Sequence, residues 1–73
     1  MTREKFIELF IEELEIENND INEKTELNSL EEWNSIGVMI AIGIADEHFN
    51  IKLTSADVKE LATVEDLMNL LKI

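Results

Sequence analysis

The 73-residue chain has no Cys, no Pro and no Tyr, a single His, a single Trp and two Gly. Without Cys it forms no disulfide and offers no thiolate to a metal. One His is too few for a His-based metal centre. It is also too few for a nucleophile–base arrangement when no thiol is present, so the chain is not expected to be an enzyme. Bases are scarce: 6 Lys and Arg stand against 17 Asp and Glu, a net charge of −11. Phosphate backbones require clustered Lys and Arg, so nucleic acid is excluded as a partner. No apolar run approaches the ~20 residues of a membrane span. The run Phe6, Ile7, Leu9, Phe10, Ile11 is interrupted by Glu8 and followed by Glu12 and Glu13, unlike a signal-peptide core. A cytoplasmic location is therefore expected, and the missing Cys is compatible with it.

What is present favours helices. Leu, Ile, Glu and Lys dominate, and no Pro interrupts them. The length predicts one domain, residues 1–73. A chain this short buries only about 60% of its unfolded surface, so regular helix packing must hold it together. The expected fold is all-α: a four-helix bundle with three longer helices, a short third helix and a long loop between the first two.

The first helix is expected over residues 2–16. Thr2 can cap it, but Lys5 stands where a capping box needs Glu. Phe6, Phe10 and Leu14 recur at i, i+4 and i+8, with Ile7 and Ile11 beside them, and make one apolar face. Residues 17–33 form a long polar connection in which Ile21, Leu27, Leu30 and Trp33 are spaced as anchors. The second helix is expected from Asn34, a good N-cap, to Phe49. Its apolar row is Val38, Ile42, Ala45 and Phe49, and it is apolar nearly all round until Asp46. Such a helix is either buried on several sides or keeps a face for a partner. Phe49 to Leu53 alternates apolar and polar and reads as an extended link. Thr54 or Ser55 caps a short third helix with Asp57 in its first turn. Thr63 caps the last helix, whose inner face is Val64, Leu67, Met68 and Leu71.

Ser35 opens the long second helix within Trp33-Asn34-Ser35-Ile36. Phe49-x-Ile51-x-Leu53 follows, then Asp57, Leu61, Thr63-Val64-x-Asp66-Leu67 and Leu70-Leu71. This pattern resembles the acyl carrier protein family, which includes the peptidyl and other thioester carriers, over about residues 4–72. In that family an Asp-Ser-Leu triplet marks the Ser that carries 4′-phosphopantetheine; here the triplet is Asn34-Ser35-Ile36. The resemblance implies a monomeric carrier of acyl or aminoacyl groups in fatty acid or secondary-metabolite biosynthesis. Its partners would be a phosphopantetheinyl transferase, an acyl-loading ligase or acyltransferase, and downstream transferases. Val38, Met39, Ile40 and Asp46 would form the docking face. A phosphodiester on Ser35 would meet the unpaired N–H groups of the helix's first turn.

The departures carry expectations of their own. Asn34 caps as well as Asp but lacks the charge that a modifying enzyme's basic or metal-bearing surface would meet. The exposed acids the family often carries after the Ser are replaced by Gly37 and Ile40, so docking is expected to be more apolar. Gly37 would let the arm or a partner approach closely. Gly43 would serve close helix contact or, with Ala41 and Ala45, leave room for an acyl chain. Met39 and Met68 read as core filler at helical spacing, and His48 as a surface or core-edge residue. The competing reading is a non-carrier helical module that binds a partner protein through the second helix.

Overall fold

The computed structural model describes residues 1–18 and 20–73. Asn19, within the long connection, lies outside the described residues. Four α-helices follow one another: α1 Arg3–Leu14, α2 Ser35–Phe49, α3 Ser55–Lys59 and α4 Val64–Leu70. The bundle is all-helical among the described residues, with a 3-10 turn at Leu27–Ser29 and one isolated antiparallel bridge, Glu26 to Thr63. The third helix is the shortest, as expected, and α4 is only two residues longer.

Thr2 caps α1 by accepting the Lys5 N–H at 3.1 Å. The helix stops at Leu14, two residues before the expected end. Glu15 takes the left-handed conformation at φ 54°, and the N–H groups of Glu15 and Ile16 reach back to the carbonyls of Glu12 and Ile11. This closure turns Ile16 inward, where it is buried with Leu14. Phe6 and Phe10 are the fully buried centre of α1. Sharing the core with them are Ala41, Ile44 and Ala45 of α2, Val64, Leu67 and Met68 of α4, and Leu71 just after it.

The four aromatic side chains form a single file. Phe49 meets Phe6 edge-on at 6.1 Å, Phe6 meets Phe10 at 5.9 Å, and Phe10 meets Trp33 at 6.0 Å. Pairs at these separations attract beyond their burial. Trp33 precedes the cap of α2 and Phe49 is its last residue, so α1 grips α2 at both ends.

The connection between α1 and α2 is pinned as its anchors predicted. Ile21, Leu27 and Leu30 are buried, and Trp33 is half-buried. Backbone bonds also stitch it to the start of α4. The Leu27 N–H donates to the Ala62 carbonyl at 2.9 Å, the Val64 N–H to Thr25 at 3.0 Å and the Glu65 N–H to Glu23 at 2.9 Å. Arg3 adds a clasp from α1. It donates to the Ile73 carbonyl at 2.8 and 3.0 Å and to Asn69 at 3.1 Å, and it pairs with Glu23 and Glu65, both at 3.2 Å.

Both short helices begin with reciprocal caps. The Thr54 N–H donates to the Asp57 carboxylate at 3.0 Å while the Asp57 N–H donates to the Thr54 hydroxyl at 3.2 Å. Asp66 accepts from the backbone of Thr63 at 3.1 Å and of Ala62 at 3.0 Å, and its own N–H donates to the Thr63 hydroxyl. The backbone bond from Thr54 holds Asp57, and those from Thr63 and Ala62 hold Asp66, below the ordinary aspartate range. A carboxyl depressed in the folded state stabilises above its unfolded pKa, and that contribution is lost as pH falls through the folded value. The loss therefore begins below the ordinary aspartate value of about 3.9. Above it, protonation of unpaired carboxylates relieves the repulsion of a −11 chain. The melting temperature is expected to hold or rise from neutral pH toward about 4–5 and then to fall. Asp66→Ala should flatten that fall in circular-dichroism melts. An acid limb as steep as the wild type's would show that the caps do not cause it.

Candidate functional site at the head of α2

Asn34 builds the start of α2. Its side-chain oxygen accepts the N–H groups of Ile36 at 3.0 Å and Gly37 at 3.1 Å, and its amide nitrogen donates to the Glu31 carbonyl at 3.2 Å. The expected cap is thus in place. One consequence differs from expectation. The Ile36 and Gly37 N–H groups are taken by Asn34, and the Val38 N–H bonds the Asn34 carbonyl. An anion at Ser35 would meet the positive field of the helix end rather than those groups. The first turn of α2 holds no acidic residue to oppose it.

Ser35 is the first residue of α2 and is exposed. Among the described residues its hydroxyl has no hydrogen-bond partner. The chain's other two serines are placed differently. The Ser29 hydroxyl donates to the Glu26 carbonyl at 2.7 Å, and Ser55 opens the five-residue α3. A hydroxyl that is exposed and unbonded, at a helix start whose first turn holds no acid, fits a phosphodiester attachment.

The side chains beyond Ser35 divide in a way that helical spacing did not resolve. α2 buries Gly37, Val38, Ala41, Ile44 and Ala45. This stripe displaces the expected row, leaving Ile42 and Phe49 half-buried. Met39, expected as core filler, stands 71% exposed, and Ile36 is 69% exposed; Met68 alone fills the core. Val38, expected on the docking face, is 7% exposed and is part of the packing instead. The reason is that α2 is apolar on nearly every side, so periodicity could not say which side faces inward. Ile40 is half-buried against the core. Asp46 is exposed and pairs with Lys52 at 2.6 Å. His48 is on the surface, as expected.

The two glycines do different things, and neither does what was expected of it. Gly37 is buried. A Cβ there would stand 2.0 Å from the Glu32 carbonyl oxygen and 3.3 Å from Leu14. Its space is filled by the chain's own backbone folding across the first turn, not by an arm or partner. Gly43 is exposed, with nothing within 4 Å of where its Cβ would be. It makes no helix contact and borders no interior space. The Gly37–Glu32 contact and the Asp46–Lys52 pair were both missed from sequence; neither spacing carries a motif.

The protein-family model described as phosphopantetheine attachment site matches residues 4–71, nearly the whole chain and all four helices. The chain belongs to that family. No curated protein and no solved structure matched it. The family attaches 4′-phosphopantetheine covalently to a Ser, and its members are carriers rather than catalysts. This chain is accordingly a phosphopantetheine-dependent carrier protein with an acyl-carrier-type helical bundle. No helix of the described residues is long and apolar enough to cross a membrane.

Proposed function

We propose that Ser35 bears the arm and that the carrier presents acyl or aminoacyl groups to partner enzymes as thioesters. One observation carries this reading. Among the described residues, Ser35 and Ser55 both open a helix with an exposed, unbonded hydroxyl, and Ser35 is the one at the head of the longest helix, 15 residues against five. The bound group supplies the thiol, which accounts for a carrier without Cys. Ser35 supplies the oxygen that bonds to the pantetheine-side phosphorus of coenzyme A, the pyrophosphate P–O bond breaks to release adenosine 3′,5′-bisphosphate, and the hydroxyl proton passes to a base of the modifying transferase. Asn34 keeps the helix start fixed through its three hydrogen bonds without adding negative charge beside the phosphodiester.

Ile36 and Met39 offer the apolar part of the docking face, with Ile40 at its edge. Asp46 lies farther along α2, its charge partly offset by Lys52. The partners follow from the carrier role: a phosphopantetheinyl transferase, a loading ligase or acyltransferase, and transferases that take the cargo.

The test is intact-mass measurement after incubation with coenzyme A and a broad-range phosphopantetheinyl transferase. The mass should rise by one phosphopantetheine group. Ser35→Ala should abolish the rise, while Ser29→Ala and Ser55→Ala keep it. No gain with any of several transferases would favour a non-carrier module that binds a partner protein through α2.

A further inference from the structure

Gly43 has no structural reason to be glycine. It is exposed, its backbone does not need a positive φ, and an added Cβ would stand in open space. Ala is preferred over Gly in an exposed helix interior, so the fold loses stability by keeping Gly43. Gly37, where a Cβ would strike the Glu32 carbonyl, is a different case.

Helical spacing puts Gly43 on the face that holds Ile36, Met39 and Glu47, seven and four residues before it and four after. Ile36 and Met39 are the most exposed large apolar side chains of this protein. Along this face two apolar knobs are followed by bare backbone and then by a carboxylate. The charges differ too. Asp46 is paired with Lys52, whereas Glu47 has no ion-pair partner among the described residues.

We propose that Gly43 is a notch in the docking face. The transferase that modifies Ser35 lays a bulky apolar side chain on the bare backbone there, against Met39, and sets a Lys or Arg beside Glu47. This rests on the Ser35 reading. Charge complementarity selects the occupant. A second copy of this chain would bring another −11 charge to the contact, whereas a partner with a basic rim is attracted. Distance agrees, because eight residues of helix separate Gly43 from Ser35 by about 12 Å. That lies within the reach of one interface of ordinary size.

The experiment compares wild type, Gly43→Ala and Gly43→Leu. Each is loaded from coenzyme A by the transferase that loads wild type fastest in a panel, and each is melted and weighed by light scattering. Both variants should melt at or above the wild-type temperature. Gly43→Leu, which fills the notch, should lower kcat/KM by about tenfold or more, mainly through KM, and Gly43→Ala by a smaller factor. Gly43→Leu loading as fast as wild type would overturn the notch, and so would a lower melting temperature in Gly43→Ala. A wild-type dimer that Gly43→Leu breaks would assign the notch to a second copy and overturn the transferase. Failure of wild type to load with any transferase would remove the Ser35 reading and this inference with it.

Discussion

Phe10→Ala is expected to cost about 3–5 kcal/mol, the range for removing a buried aromatic ring. A domain of this size has a total stability of only about 4–11 kcal/mol, so much of the folded population is at stake. At about 4–8 °C per kcal/mol the melting temperature should drop by roughly 12–40 °C. Phe10 is fully buried and is the joint between Phe6 and Trp33. Its loss opens the core and also frees the residue that leads into the cap of α2. Thermal melts followed by circular dichroism test this, with half-buried Ile11→Ala as the milder control. A drop below about 5 °C, roughly 1 kcal/mol at this size, would mean that the ring is not central to the core.

Gly37→Ala should be the next most damaging change, and at the site itself. The added carbon would lie 2.0 Å from the Glu32 carbonyl oxygen. A backbone oxygen cannot swing aside as a side chain can, so either the segment before Asn34 or the first turn of α2 must move. Overpacking of this kind costs about 1–3 kcal/mol. The movement falls on Asn34 and Ser35, so phosphopantetheine loading should slow even at temperatures where the variant remains folded. The paired measurement is Gly43→Ala, expected to raise stability by up to about 1 kcal/mol. Chemical denaturation of the two variants should therefore give shifts of opposite sign. Equal shifts would contradict the contrast drawn between the two glycines.

Much of this fold could be read in advance where it depends on neighbours in sequence. Thr2, Asn34, Thr54 and Thr63 all cap helices as their positions implied, since a cap is decided within three or four residues. Phe6, Phe10 and Leu14 faced inward because α1 has a polar side to contrast with them. The same reasoning failed on α2. An apolar helix without such contrast gave no basis for separating exposed Met39 from buried Val38. Contacts between distant segments were also out of reach. Arg3 meets Ile73 across seventy positions, and Gly37 is confined by a carbonyl whose direction depends on the loop's path. Ser35 could be singled out as the candidate attachment residue through the order of motifs around it. That the Ile36 and Gly37 N–H groups are already taken was not, because it depends on where the Asn34 amide points.

The file of aromatic rings has an optical consequence. The chain has no Tyr, so Trp33 is its sole strong near-ultraviolet emitter. The indole is half-buried against Phe10 and stands two residues before Ser35. Its emission reports from one known address, where the core meets the proposed attachment site. Unfolding should shift it to longer wavelength as water reaches the ring, and events at Ser35 occur close enough to alter its intensity without any added dye.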